Sequence, residues 1–77
     1  MIMYMIYINL VRGKTGYYVG LDDYDFNKRE FQSVVYSPDC DAAKQFPTYD
    51  SALSYAMWLK ENYSNVIYAE VIDRYAF

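Results

Sequence analysis

One stretch of this chain has the periodicity of an amphipathic helix, and nearly everything around it reads as strand. From Tyr49 to Tyr63, at about 100° per residue, Ala52, Ala56, Leu59 and Tyr63 fall on one stripe, flanked by Tyr49 and Leu53. Thr48 follows Pro47 and suits the N-cap, and Asp50 puts negative charge in the first turn, where the helix dipole favours it. Asn62, Ser64 and Asn65 stop the helix. A single helix can cover only one face of a sheet, and this sets the architecture.

The strands follow from alternation and turn chemistry. Over residues 2–11, Ile2, Ile6, Ile8 and Leu10 share one face, while Met3, Met5, Tyr7 and Asn9 share the other, as in a mid-sheet strand. The run from Arg12 to Gly16 supplies a turn, and Tyr17 to Leu21 reads as the second strand of a hairpin. Residues 22–30 read as a charged connection, followed by a strand from Phe31 to Tyr36 that Ser37-Pro38-Asp39 ends. Val66 to Ile72 is a β-branched closing strand. The expected fold is α+β: a single two-layer domain over 1–77, ordered β-β-β-α-β, with a mainly antiparallel sheet and one helix on one face. Eleven of the 77 residues are tyrosine. An apolar ring with a polar tip suits a sheet face that meets water, so the tyrosines are expected on the uncovered side.

Several function classes recede on composition. With no histidine, Cys40 and the serines lack the usual activating base. A net charge of −3 and seven scattered Lys and Arg argue against direct nucleic-acid or membrane binding. The lone cysteine and the lack of a basic, cleavable N-terminal segment favour the cytoplasm of a host cell. Asp23-x-Asp25-x-Asn27 is similar to the start of a calcium loop, but Lys28 replaces its glycine and Val34 its closing glutamate. Gly13-Lys14-Thr15 lacks the upstream glycine and following helix of a phosphate loop. No metal, cofactor or catalytic residue is expected.

Binding residues are better represented. Trp58 lies opposite the apolar stripe, near Tyr55 and Glu61, where only an interface or a covering segment such as Tyr75-Ala76-Phe77 would repay its exposure. The second candidate is the acidic and aromatic run Asp22, Asp23, Tyr24 and Asp25, continued by Phe26, Glu30 and Phe31, unless its two phenylalanines turn into the core.

The segment Val34-Val35-Tyr36-Ser37-Pro38-Asp39, with Ala43-Lys44-Gln45-Phe46-x-Thr48-Tyr49-Asp50-Ser51-Ala52, resembles small uncharacterised accessory proteins of phages of Gram-positive bacteria. On that resemblance Phe46 would plug the core just before the cap, and Ala52 would let the helix sit close to the sheet. By analogy of class alone, it implies a phage inhibitor of bacterial defence, anti-CRISPR-like, acting on a host protein such as an RNA-guided nuclease. Two alternatives stand beside this. One is a small-ligand binder that sequesters a nucleotide signal, with aromatics stacked on the base and Arg12, Lys14, Lys28 or Arg29 on phosphates. The other is a homo-oligomeric phage structural or regulatory protein, joined through the uncovered sheet face or a strand edge.

Overall fold

The computed structural model describes residues 3–73. Four strands, β1 (Tyr4–Leu10), β2 (Thr15–Asp25), β3 (Glu30–Ser37) and β4 (Val66–Asp73), form one antiparallel sheet in the order β3-β2-β1-β4. One helix, α1 (Tyr49–Asn62), packs on it, so the fold is the expected two-layer α+β arrangement. Thr48 caps the helix, its hydroxyl oxygen accepting the Ser51 N–H at 3.1 Å. The expected first strand begins at residue 2, which lies outside the described residues, as does the 75–77 tail proposed to cover Trp58.

The β1–β2 hairpin turns through a 3-10 turn at Val11–Gly13, where Arg12 and Gly13 both take left-handed φ, 67° and 74°. Leu10 N–H donates to the Lys14 carbonyl at 2.6 Å, and Val11 N–H donates to the Asn65 carbonyl at 2.9 Å. The hairpin turn is therefore tied to the link between α1 and β4.

Residues 22–30 differ from expectation. Instead of a connection, Asp22–Asp25 continue β2 and Glu30 opens β3, leaving only residues 26–29 as the turn. Cross-strand pairs Asp22–Ser33, Tyr24–Phe31 and Asp25–Glu30 hold this ribbon, with the Tyr24 and Phe31 rings 4.9 Å apart. Such aromatic pairs stabilise a ladder by a few tenths to about 1 kcal/mol, which offsets the poor strand propensity of aspartate. Asp25 closes the turn by accepting the N–H groups of Asn27 (2.8 Å) and Lys28 (3.3 Å). Because β1 pairs only with Thr15 to Tyr17 of β2, the outer part of β2–β3 stands clear of β1 as a two-stranded arm.

Beyond Tyr17 the β1 and β2 strands part, and the Lys44–Phe46 segment fills the fork. Lys44 N–H donates to the Tyr18 carbonyl, and Phe46 exchanges both backbone hydrogen bonds with Tyr4. Phe46 is buried there, and Ala52 is fully buried on α1, as expected for a plug and a close helix–sheet contact. The core joins Ile6, Ile8 and Leu10 of β1 to Ala52, Ala56 and Leu59 of α1, with Tyr18, Val34 and Val66.

The tyrosines divide between the two faces instead of marking the uncovered one alone. Tyr18 is buried in the helix-side core, and Tyr4, Tyr36, Tyr55 and Tyr63 pack against it. Tyr7, Tyr17, Tyr24 and Tyr68 take the other face, Tyr7 and Tyr17 in edge-to-face contact at 5.3 Å. The cause is where the helix sits: α1 packs mainly on β4 and, less, on β1. The helix side of β2 and β3 is left for long side chains to cover. Tyrosine spans that gap and keeps its hydroxyl hydrogen-bonded or wet.

Candidate interaction surface

The acidic run sits on the arm. Asp22 and Asp23 are exposed, Asp25 is half-buried and committed to the turn, and Tyr24 and Phe31 are each 40% exposed. Phe26, in the turn itself, is 84% exposed, its ring 5.0 Å from Tyr24 in an edge-to-face contact. Neither phenylalanine turns into the core, so that alternative is set aside. The tip thus presents three rings in a row, Phe26, Tyr24 and Phe31, with Asp22 on the face of Tyr24 and Phe31 and with Asp23 and Glu30 on the opposite face. Asp23 takes a left-handed φ of 58° next to Tyr24, with its N–H donating to the Asp22 carboxylate at 2.8 Å. An aspartate tolerates that backbone better than most residues.

The helix candidates separate. Trp58 is 40% exposed, with its ring against Tyr55 at 5.3 Å and Tyr63 at 5.7 Å. Tyr55 does not look outward with it. The ring of Tyr55 also packs on Tyr18 and Phe46, and its hydroxyl lies 2.7 Å from that of Tyr18. Tyr55 lies on the flank of the helix that faces β2, and its long ring reaches the gap left there. Glu61 is exposed on the outer side of α1.

Arm and helix meet through Tyr63. Its hydroxyl donates to the Phe31 carbonyl at 3.0 Å, and beside that bond a hollow of about 200 Å³ is lined by Glu30, Phe31, Gln32, Trp58 and Asn62, among others. Of the predicted residues, the structure therefore brings Trp58 beside the arm and leaves Glu61 apart from it. Burial pushes the Tyr63 phenol pKa up, helped by the nearby charges of Tyr55 and Glu30, so the donor keeps its proton well into alkaline conditions.

In the sequence Phe26 is legible only as part of the acidic run, and the bridging role of Tyr63 is not legible at all. An apolar residue inside Asp25-Phe26-Asn27-Lys28, a good turn sequence, was the available signal for the first. Nothing local marks Tyr63, because its partner is 32 residues away.

Elsewhere, Asp39, Cys40 and Asp41 bring ligand-type atoms within 4.8 Å of one another, but Asp39 already accepts the Asp41 N–H at 2.9 Å. That arrangement is a closed turn. No helix among the described residues is long and apolar enough to cross a membrane. Comparison with protein families, with curated proteins and with solved structures finds no match to this chain.

Proposed function

We propose that this chain is a non-enzymatic inhibitor of the kind carried by phages and mobile elements. Its target would be a protein of the host's defence machinery, in the first instance an RNA-guided nuclease. One observation carries the reading: a ring row, with Phe26 84% exposed, held at the end of a hydrogen-bonded arm and flanked by carboxylates. Phe26 keeps an edge-to-face contact with Tyr24 and takes no part in the hydrophobic core. An exposed aromatic on a rigid element is what a protein interface uses as an anchor. The acidic neighbours favour a basic partner surface, such as a groove built to hold phosphates, where carboxylates pair with the same Lys and Arg. Trp58 lies on the helix side of the arm, the face opposite Tyr24 and Phe31, so it would join the contact only where a partner wraps the arm's edge, and Glu61 stands apart from both.

Inhibition of purified RNA-guided nuclease complexes tests this directly. Phe26→Ala, Trp58→Ala and the double variant Asp22→Asn/Asp23→Asn are each compared with the parent chain. A hot-spot loss of about 2 kcal/mol raises the half-inhibitory concentration about 30-fold for Phe26→Ala, while folding stability falls by no more than about 1 kcal/mol for the lost ring contact with Tyr24. Unaltered inhibition by all three variants would remove the arm from the interface. Failure of the parent chain to bind or inhibit any such complex would remove the nuclease reading itself.

A further inference from the structure

The geometry points to a second binding site, independent of the arm tip: a groove between the β1–β2 turn, the α1–β4 link and β3 that takes a small phosphorylated ring compound of nucleoside-monophosphate size. The groove has a volume of about 350 Å³, and its lining includes Arg12, Lys14, Gln32, Val34, Tyr36 and Asn65. That volume falls at the lower end of small-molecule pockets, roughly 300–1,000 Å³. It suits one nucleotide and is small for a dinucleotide.

Its charge sets the ligand class. Among the described residues, neither Arg12 nor Lys14 has a carboxylate within ion-pairing distance. The other cations are differently placed. Lys28 and Arg29 sit in the arm turn between Asp25 and Glu30, Lys60 is in the last turn of α1, the Lys44 ammonium lies 5.9 Å from the centre of the Phe46 ring, and Arg74 is outside the described residues. In a chain of net charge −3, two unpaired cations on one concavity select an anion. Two positive charges match one phosphate monoester, whereas a polymer would meet the acidic remainder of the molecule.

The site is also held in shape before any ligand arrives. The turn that carries Arg12 and Lys14 is fixed at both ends, by Leu10 N–H on the Lys14 carbonyl and by Val11 N–H on the Asn65 carbonyl. Arg12 holds its left-handed φ of 67° there, a conformation that an ordinary side chain rarely adopts. Val34, buried in the core, and the Tyr36 ring add apolar area for a planar group. Gln32 and Asn65 bring amides that suit the edge of a base, and Gln32 is engaged only by long contacts to Glu30, at 3.4 and 3.5 Å. The hollow that carries Trp58 begins at the same two residues, so a ring entering from the cationic end extends toward the indole.

The test is a titration of the full chain at low ionic strength with AMP, adenosine and inorganic phosphate. It is followed by calorimetry and by amide chemical shifts. Saturable AMP binding is expected, at least tenfold tighter than either fragment, with shifts centred on Gln32, Tyr36 and Asn65. The variant Arg12→Gly/Lys14→Gln, which keeps a residue suited to the left-handed turn, should weaken AMP at least tenfold. Lys28→Gln/Arg29→Gly, in the arm turn, should leave it unchanged. No saturation by about 5 mM AMP, phosphate binding as tightly as AMP, or equal loss in both double variants would each overturn the proposal. Shifts on the parent chain decide the matter even if a groove variant fails to fold. Loss of the arm's inhibitory function would not touch this result.

Discussion

The Tyr18–Tyr55 hydroxyl pair makes a prediction whose size follows from burial and linkage. Tyr18 is 1% exposed, and its hydroxyl lies 2.7 Å from that of Tyr55. Burial, and then the hydrogen bond, push the Tyr18 pKa well above the ordinary tyrosine value of 10.0. The native state therefore keeps this proton after the unfolded chain has released it. Stability from this group is fully present below pH 10 and falls as the pH rises beyond it. At pH 11, one unit above the unfolded value, Tyr18 alone costs about 1.4 kcal/mol of stability.

Tyr18→Phe separates that term from the rest. At pH 7 the variant loses a buried hydrogen bond and leaves the Tyr55 hydroxyl half-satisfied, a cost of about 1–2 kcal/mol. Phenylalanine has no proton to lose, so the gap to the parent chain should shrink by about 1.4 kcal/mol between pH 8 and pH 11. Contributions from Tyr63 are present in both proteins and cancel. The assay is urea unfolding across that pH range, followed by far-ultraviolet circular dichroism, because tyrosinate quenches the Trp58 emission. A gap that stays constant to within about 0.5 kcal/mol would refute the reasoning, since it would mean that Tyr18 titrates alike in both states.

Two further predictions concern the frame of the arm. A methyl group on Gly16 would lie 2.9 Å from both the Ser37 carbonyl oxygen and the Tyr36 ring, so Gly16→Ala should cost about 1–3 kcal/mol in denaturant unfolding. Gly20→Ala, where nothing lies within 4 Å, is its control and should stay within about 0.5 kcal/mol of the parent. Arg29 closes the arm turn at φ 56°, and Arg29→Gly should raise stability by up to about 1 kcal/mol in the same assay. A loss there would show that the arginine side chain supports the turn.

The helix was legible because capping and apolar spacing are local: Thr48, Asp50 and the Ala52–Ala56–Leu59 stripe carry it unaided. The strands were legible as segments, but their lengths were not. Asp22, Asp23 and Asp25 are poor strand formers, and only pairing with residues 30 to 33 puts them in a ladder. The site suffered more from the same problem. Trp58 and the acidic run stood out as exposed aromatics and charges, whereas the Tyr63 hydroxyl on Phe31 depends on a contact between distant residues. Tyr55 misled because a helical wheel reports direction and not reach: a residue on the flank of the stripe can still bury its ring when the neighbouring strand lacks cover.

That lack of cover links the two surfaces. A fourteen-residue helix over β4 and β1 cannot also cover β2 and β3, so the far half of the sheet has to shield itself. Near the fork it does so with Phe46, Tyr18 and Tyr55, packed ring on ring. Along β3 the residues on the helix side run Glu30, Gln32, Val34 and Tyr36, from acid to amide to apolar. Tyr63 bridges only the first part of that row, through the Phe31 backbone carbonyl between Glu30 and Gln32, and the groove opens where it stops. The acidic end of β3 therefore belongs to the arm and the apolar end to the cationic groove, with Gln32 between them. One strand without a covering helix supplies both a charged projection and a concavity of opposite sign.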